Sequence, residues 1–300
     1  MAATSTALTA TPAASRSHRP RRALAQAARM FARDRPAMLG LLIIAIIGGA
    51  ALAAPLISPW DPLTSASVER LSPVGTPGHL LGTDEQGRDI LSRLIWGGRA
   101  SLLVGILPTV TAGVVALGLG LLAGYLGGLV DHVIMRALDV FFAFPLVLLA
   151  IAIVGVIGPG MGNQMFALAV VLVPYSTRVV RTAALSVKPL EYVEAARALG
   201  ASGGRLVGRH LLPNVLPPLL VYTSTLVGLM IVASAGLSFL GLGVQPPTPD
   251  WGVMVGNGRL VLYRAAHVAT IPGVVIVVAA LAFNFVGDGL REALDPRARR

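Results

Sequence analysis

Glu191-Tyr-Val-Glu-Ala-Ala-Arg-Ala-Leu-Gly200 is a charged, helix-prone stretch in a chain that is otherwise mostly apolar. An acidic residue near the start of a helix is favourable, and the alanines that follow have the highest helix propensity of any residue. Gly200 suits the left-handed residue that commonly ends a helix. The stretch therefore predicts one short helix that stops before Gly200, where the chain turns sharply.

A second short helix is expected directly after this turn. Ser202 is a favourable cap for it, and Pro213 is expected to close it after Leu211. The pair Gly203-Gly204 weakens the start of such a helix by about 1 kcal/mol for each glycine. Two short helices that meet at an angle, on rigid apolar segments, would transmit rigid-body motion.

The composition of the chain is typical of a membrane protein. Of its 300 residues, 55% are hydrophobic and only 13% are charged, and the mean hydropathy is +0.75. Soluble domains contain about 25% charged residues. Cysteine is absent from the sequence, which excludes disulfides, thiolate metal sites and cysteine nucleophiles.

Six apolar segments are long enough to cross a bilayer, which takes about 20 residues. The predicted spans are residues 37–57, 101–124, 137–157, 164–180, 215–241 and 271–287. Membrane bundles tolerate proline, because neighbouring helices and side chains satisfy the freed backbone groups. The prolines inside or at the ends of these spans are Pro108, Pro145, Pro174, Pro217, Pro218 and Pro272. We therefore expect an all-α membrane protein with six transmembrane helices.

The distribution of basic residues predicts the orientation. With the N-terminus in the cytoplasm, most of the 24 Lys and Arg residues fall in cytoplasmic segments, as the positive-inside rule requires. Both termini and the polar stretch up to Pro213 then face the cytoplasm. This arrangement also accounts for most of the net charge of +10 without any binding of nucleic acid.

The two ends of the chain are predicted to be cytoplasmic tails. Residues 1–36 are rich in Ala, Ser, Thr and Arg and lack apolar periodicity, which favours a disordered basic tail near anionic membrane lipid. A cleaved secretory signal is the alternative, but the following apolar run is long for one and the charged leader is too extended. Residues 291–300 form the second tail.

The polar stretch resembles the coupling loop of bacterial ATP-binding-cassette (ABC) importer permeases. The resemblance rests on Glu194-Ala-Ala, Gly200 and His210-Leu-Leu-Pro213 at matching spacing. It implies that residues 186–213 form a coupling loop, in which the residues that act on the ATPase are Glu194, Ala195, Ala196, Gly200 and Pro213. An ordinary amphipathic cytoplasmic loop is the alternative explanation.

Three further stretches resemble the peptide and nickel importer permeases of this family. They are residues 79–102, 237–252 and 281–296. They resemble most the second of the two permeases of dipeptide and oligopeptide importers. The resemblance implies the type I ABC importer permease fold, with a first helix and external family-specific segment over 37–96 and the transmembrane domain over 97–290.

The partners are implied by the same resemblance. They are a second homologous permease, two ATP-binding subunits and an extracytoplasmic solute-binding protein, assembled in the bacterial inner membrane. The chain would form half of a pore for dipeptides or oligopeptides, or alternatively for nickel or another chelated metal. The sequence identifies neither the substrate nor the residues that line its path.

Catalytic and cofactor motifs are missing from the sequence. It has no Gly-x-x-x-x-Gly-Lys-Ser/Thr phosphate loop, so ATP hydrolysis is assigned to partner subunits and the chain is not expected to be an enzyme. It also has no His-Glu-x-x-His. One metal hypothesis is left open, in which His79 and His267 meet on the outer face.

Two acidic residues lie within or beside predicted spans, where a charge at mid-bilayer costs roughly 2.5–3.5 kcal/mol. These are Asp139 and Asp288. The expected role is structural, with Asp139 paired with Arg136 and Asp288 with Arg291. A proton-driven secondary transporter that uses both aspartates is the alternative outside the family.

The predicted external segments carry amphipathic features. Residues 88–103 place apolar and polar side chains on opposite faces, which favours a helix at the outer membrane interface. Asp89 and Arg93 are four residues apart and are expected to form at most a weak, solvated pair. Trp251 is expected to anchor an external segment at the interface.

Overall fold

The computed structural model describes residues 20–65 and 69–294, and the regular secondary structure of this part is entirely helical. The helices are α1 (Pro20–Arg33), α2 (Arg35–Leu52), α3 (Ala54–Ile57), α4 (Ile90–Leu126), α5 (Gly128–Asp139), α6 (Leu146–Ile157), α7 (Met161–Val187), α8 (Glu191–Ala198), α9 (Gly203–Leu206), α10 (Leu212–Phe239), α11 (Trp251–Gly258) and α12 (His267–Leu294). The predicted all-α class is confirmed.

Five stretches in the described part of the chain are long and apolar enough to cross a membrane. They are α2, α4, α7, the continuous stretch Gly203–Phe239 and α12. A bent pair that includes α5 and α6 makes a sixth crossing if it counts as one span. The predicted number of spans is therefore reached only with this pair.

The predicted third span, residues 137–157, is broken rather than continuous. The chain bends by 90° between α5 and α6. Phe144 has extended backbone (φ −116°, ψ 139°), because the ring of Pro145 disfavours helical geometry in the residue before it. Three other prolines of predicted spans, Pro108, Pro174 and Pro272, lie inside continuous helices.

The core of the bundle lies where α4, α7 and α10 meet. It is built from apolar side chains that are almost completely buried, among them Val104, Leu168, Leu172, Met230 and Leu237. Apolar side chains elsewhere on the spans, such as Leu42, Val114 and Val274, are exposed. That distribution is expected where the solvent around the helices is lipid.

α4 is longer than the predicted second span and includes residues that were predicted to form a separate external helix. It has 37 residues and begins at Ile90, with the Asp89 carboxylate accepting the Ser92 backbone N–H at 2.7 Å. The separate interfacial helix predicted over residues 88–103 is therefore wrong. The polar side chains of its first turns, Arg88, Asp89, Ser92 and Arg93, are buried instead of facing water.

The N-terminal region is also more ordered than predicted. Residues 20–33 of the predicted disordered tail form α1, which lies against α12 and buries Ala27. Alanine and arginine have high helix propensity. A stretch rich in them can therefore form a helix against α12 even though it lacks apolar periodicity. Residues 1–19 and 295–300 lie outside the described part of the chain.

Candidate coupling surface

The polar loop and the predicted external segment lie at opposite ends of α4, which we call the inner end and the outer end after the predicted orientation. At its start, Ile90 packs in one cluster with Trp251 and Val268. At its end, the backbone carbonyl of Tyr125 accepts the Lys188 ammonium N–H at 2.8 Å. A helix of 37 residues is about 55 Å long, so the two ends are separated by the full thickness of the bundle.

α8, the first helix of the loop, is fixed to the bundle by its inner face. Val193 is fully buried in a cluster with Leu206 and Leu211 of the second half of the loop. The same cluster includes Val180 of α7 and Val215 of α10. Because one core joins α7, α8 and α10, a displacement of α8 would move both membrane-spanning helices.

Gly200 ends α8 in the way predicted. Its φ of +82° lies in the left-handed region that favours glycine. The Gly200 N–H donates to the Arg197 carbonyl and the Ala201 N–H to the Ala196 carbonyl, both at 3.0 Å. These two bonds form the Schellman motif, so the predicted left-handed turn is confirmed.

The second half of the loop differs from the prediction. The helix begins at Gly203, but the Ser202 side chain forms no capping hydrogen bond. A π turn follows over Val207–Leu211, and the chain continues into α10 without a break. Pro213 therefore does not close a helix. It lies in the first turn of α10, where the missing N–H of proline is tolerated.

The glycine pair at 203–204 has a packing role that the sequence did not reveal. A Cβ built on Gly203 would lie 2.8 Å from the Tyr125 hydroxyl, whereas one on Gly204 would meet nothing within 4 Å. Glycine at the first position thus lets the loop approach the end of α4. The second glycine has no such contact among the described residues.

The predicted coupling residues fall on the water-facing side of the loop. Glu194, Ala195, Gly200 and Pro213 are exposed, and Ala196 is half-buried. Two apolar neighbours that were not predicted are exposed with them: Leu199 at 89% and Tyr192 at 46%. We call the exposed group the coupling surface; its members are Tyr192, Glu194, Ala195, Leu199 and Gly200.

A cleft of 840 Å³ opens beside the loop between α7, α10 and α12. We call it the inner cleft. Its lining includes Val179, Pro213, Asn214, Pro217, Pro218, Val221, Tyr222, Thr225, Asp288, Arg291 and Leu294. Asp288 and Arg291, which are predicted to form a structural pair, both line this open cleft.

The two candidate intramembrane acids have different surroundings. The Asp139 carboxylate accepts from the Arg178 guanidinium at 2.6 Å, so the predicted partner Arg136 is wrong. The bend after α5 carries Asp139 towards α7, and the same Arg178 lies over a phenylalanine ring of the bend. Within the described residues Asp288 forms no ion pair within 4 Å, and the predicted pairing with Arg291 is wrong.

The outer end holds two groups of charged side chains, all buried except Glu69, that we call together the outer charge cluster. Its members are Glu69, His79, Asp84, Arg88, Asp89 and Arg93. Arg93 lies 3.4 Å from Asp84, and Asp89 lies 2.9 Å from His79. The predicted pairing of Asp89 with Arg93 is therefore wrong, because each has a different buried partner.

His79 is held between two carboxylates rather than beside a second histidine. Its Nδ1 lies 2.9 Å from Asp89 and its Nε2 lies 3.1 Å from Glu69. Burial lowers the pKa of His79, but hydrogen bonds with the two carboxylates outweigh it, and the pKa is raised above its ordinary value. No group of three metal-binding side chains occurs in the described ranges, so the structure does not support the metal hypothesis.

Trp251 is not an interface anchor, contrary to the prediction. It is 1% exposed and donates its indole N–H to the Leu94 carbonyl at 3.0 Å. The preceding Asp250 caps α11 and accepts from the Ser101 hydroxyl at 2.7 Å. Burial raises the pKa of Asp250. These contacts lock the segment after α10 onto the outer end of α4.

Two family models match this chain. Residues 116–300 match the binding-protein-dependent transport system inner membrane component, and residues 23–73 match the N-terminal TM domain of oligopeptide transport permease C. The unmatched residues between them, 74–115, include the segment before α4 and most of α4 itself.

Curated relatives match along nearly the full length. The chain is 42% identical over 271 residues to the glutathione transport system permease protein GsiD of Pectobacterium atrosepticum, with 90% of each chain covered. It is 43% identical over 274 residues to the di/tripeptide transport system permease protein DppC of Pseudomonas aeruginosa, again with 90% of each covered. The dipeptide permease DppC of Haemophilus influenzae is 40% identical, with 90% of this chain and 93% of the relative covered.

A solved structure shows the same fold. An inward-facing structure of the MetNI methionine ABC transporter contains a chain that superposes with a TM-score of 0.57 at 22% identity, covering 69% of this chain and 98% of that one. With the family model over more than half of the sequence, the conclusion is direct. The chain belongs to the binding-protein-dependent transport system inner membrane components, and it is a non-catalytic, multi-pass permease subunit of an ABC importer in the bacterial inner membrane.

Proposed function

We propose that this permease forms half of a pore for small peptides and that its coupling surface receives the motion of an ATP-binding subunit. A second homologous permease forms the other half, two ATP-binding subunits bind at the cytoplasmic side, and a solute-binding protein delivers the peptide from outside. In this proposal the loop of residues 186–213 and both termini face the cytoplasm, as the distribution of basic residues predicts.

The observation that carries the coupling proposal is the exposure of apolar and small residues on an anchored polar loop. Leu199 projects into solvent at the turn, next to the left-handed Gly200. A single exposed leucine is common on a protein surface, but here Tyr192, Ala195 and Leu199 are exposed together on one short anchored loop, which favours a protein-contact surface. Alanines beside it allow a partner's backbone to approach closely.

The packing of α8 supports a mechanical role for this surface. Val193 lies in the core that joins α7 and α10, and Lys188 is bonded to the end of α4. Closure of the ATP-binding subunits would displace α8 as a rigid unit and tilt these helices with it. The inner cleft, which α7 and α10 both line, would change shape in the same movement.

The peptide substrate is inferred from the relatives. Their names specify dipeptides, di/tripeptides and glutathione, and all of these are short peptides. Nickel, the alternative cargo, is not favoured by these relatives. A proton-driven carrier is not favoured either, because the family depends on a binding protein.

Co-purification tests the coupling proposal. A tag on this chain should retain the second permease and the ATP-binding subunits from detergent extracts, and Gly200→Asp should lose the ATP-binding subunits while inserting normally. Gly208→Asp is the matched control, since it adds the same charge at an exposed loop glycine without a positive φ and with open space around it. Retention of the ATP-binding subunits by Gly200→Asp, with wild-type uptake, would refute the proposal.

A further inference from the structure

We infer that the inner cleft binds the transported peptide by its two charged termini, with Asp288 facing the α-ammonium group and Arg291 the α-carboxylate. The inference rests on the proposed function and assigns a substrate site within it. Such a site recognises the charged termini of a peptide rather than its side chains, so it suits a carrier of short peptides of varied sequence.

The first argument is the availability of the two charges. Asp288 and Arg291 are three residues apart on α12, which places them on neighbouring positions of one helix face. Both line the inner cleft and both are exposed. In the described part of the chain neither forms an ion pair, whereas Asp131 and Asp139 of α5 are each bonded to an arginine of α7.

The second argument is a set of backbone acceptors on the opposite wall. Pro217 and Pro218 have no backbone N–H, so α10 cannot supply the usual helical bonds to the carbonyls of Pro213 and Asn214, four residues earlier. All four residues line the inner cleft. Carbonyls that have no helical partner beside a cavity can accept N–H groups of a ligand.

The dimensions agree with a short peptide. The inner cleft has a volume of 840 Å³, and pockets for small molecules commonly measure about 300–1,000 Å³. Side chains three residues apart on a helix have Cβ atoms about 5–6 Å apart. A dipeptide places its termini at most about 7 Å apart and a tripeptide at most about 10 Å, since an extended chain advances about 3.5 Å per residue. The long side chain of Arg291 can span the difference.

The chemistry of the walls explains the selectivity that we expect. Arg291 offers a planar guanidinium that can hold a carboxylate by two parallel hydrogen bonds. Asp288 and the free carbonyls provide acceptors only, which suit an ammonium group. Val179, Val221 and Leu294 add apolar surface beside the uncharged polar side chains of Tyr222 and Thr225, and this lining contacts peptide side chains without a charge that would select among them.

The absence of cysteine from the sequence makes a direct test possible. Val221→Cys places one thiol in the inner cleft, and its maleimide labelling is measured in the complete importer in lipid nanodiscs, without the solute-binding protein. Millimolar tri-alanine should slow labelling at least about threefold. N-acetyl-tri-alanine amide, of similar size but without charged termini, should slow it much less.

Variants of the charged residues sharpen the test. Arg291→Gln in the Val221→Cys background should raise the tri-alanine concentration for half-protection about tenfold, and Arg291→Lys should recover part of the loss. Glu292→Cys is the control thiol, because this next residue of α12 lines a different cleft, beside α1. Its labelling should not respond to either peptide. Equal protection of Val221→Cys by the free and the blocked peptide, or by neither, would overturn the assignment.

Uptake separates this inference from the proposed function. Tri-alanine uptake is measured with the wild-type importer and its solute-binding protein in liposomes. If tri-alanine is imported but free and blocked peptides protect equally, peptide transport stands and the terminus-reading site is wrong. If tri-alanine is neither imported nor protective, the peptide function and the site are both refuted.

Discussion

The outer end and the inner end of this permease place their charged side chains in opposite ways. At the outer end, six ionisable side chains form the outer charge cluster, and Arg93 within it is 2% exposed. At the inner end, Leu199 is 89% exposed and the acidic residues of α8 face water. The outer end buries most of its charged side chains within one chain, whereas the inner end exposes the acidic residues of α8 together with Leu199. Apolar exposure alone does not distinguish the two ends, since Leu80 of the outer end is also exposed.

The difference indicates where substitutions affect folding and where they affect assembly. Buried charges are stable only where their partners are fixed, so the outer segment is a rigid part of the fold. An exposed leucine on a water-facing loop gains stability only when a partner covers it. Substitutions at the outer end should therefore affect folding, and those at the coupling surface should affect assembly.

The largest effect is expected for Asp84→Ala in the outer charge cluster. The Asp84 carboxylate accepts from Arg88 at 2.7 Å and lies 3.4 Å from Arg93. Its removal leaves two buried guanidinium groups without this partner, which should cost about 3–5 kcal/mol of unfolding free energy. Thermal melting of the purified chain in detergent measures the loss.

The matched control for Asp84→Ala is Glu85→Ala. Glu85 contacts Arg88 at 3.1 Å but is partly exposed, so its removal should cost about 1 kcal/mol or less. Equal melting temperatures for the two variants would contradict the view that the outer end depends on its buried pairs.

Leu199→Ala tests the inner end and should leave the fold intact. Its side chain is already in solvent, so the melting temperature of the isolated chain should be unchanged. Affinity for the ATP-binding subunit should fall about tenfold, because each buried carbon group that the truncation removes contributes about 0.8 kcal/mol of binding free energy. Titration with the purified subunit measures it. Leu80→Ala, at an exposed leucine of the outer end, should leave this affinity unchanged.

A smaller effect separates the two adjacent glycines of the loop. Gly203→Ala should destabilise the chain by about 1 kcal/mol, because its Cβ would lie 2.8 Å from the Tyr125 hydroxyl. Gly204→Ala meets no neighbour and should be neutral or stabilising by up to about 1 kcal/mol, owing to the helix propensity of alanine. Tyr125→Phe should restore much of the loss in Gly203→Ala. Chemical unfolding of the four variants would show whether the loop depends on this close approach.

The pH dependence of the outer segment should be the mildest of these effects. The pKa of His79 is raised in the folded chain, so its protonated form stabilises the fold. This contribution is complete below the ordinary histidine pKa of about 6.5 and is lost as the pH rises through the higher folded value. As the pH rises, the backbone amides around His79 should therefore exchange hydrogen faster than the intrinsic increase of the exchange rate with pH explains. His79→Gln should abolish the excess; an unchanged excess in this variant would show that another group titrates.

Much of the inner end could be predicted from the sequence because its signals are local. Glycine after an alanine-rich helix specifies a left-handed turn, and Gly200 adopts it. The role of Gly203 could not be predicted, because Tyr125 lies far away in sequence and only the packed bundle brings the two together. Exposure of Leu199 also depends on which face of α8 Val193 fixes to the core.

The outer end was predicted less well because its contacts are long-range. Asp89 and Arg93 have helical spacing, but each is bonded to a residue of the preceding segment that sequence spacing does not reveal.

Pro145 breaks a span while Pro108 does not, although both lie in similar apolar runs. The backbone preference of a residue limits the conformations that it can adopt, and packing in the folded bundle determines which of them it takes.

The most direct test of the contrast between the two ends is the accessibility of single cysteines. Ala198→Cys lies on exposed α8, and Leu80→Cys lies on the exposed outer segment. Maleimide labelling is compared between the purified permease and the importer assembled with its ATP-binding subunits but without solute-binding protein. We predict that assembly slows labelling of Ala198→Cys at least about tenfold and leaves Leu80→Cys unchanged. Equal labelling of Ala198→Cys in both states would contradict the claim that this surface is completed by the ATP-binding subunit.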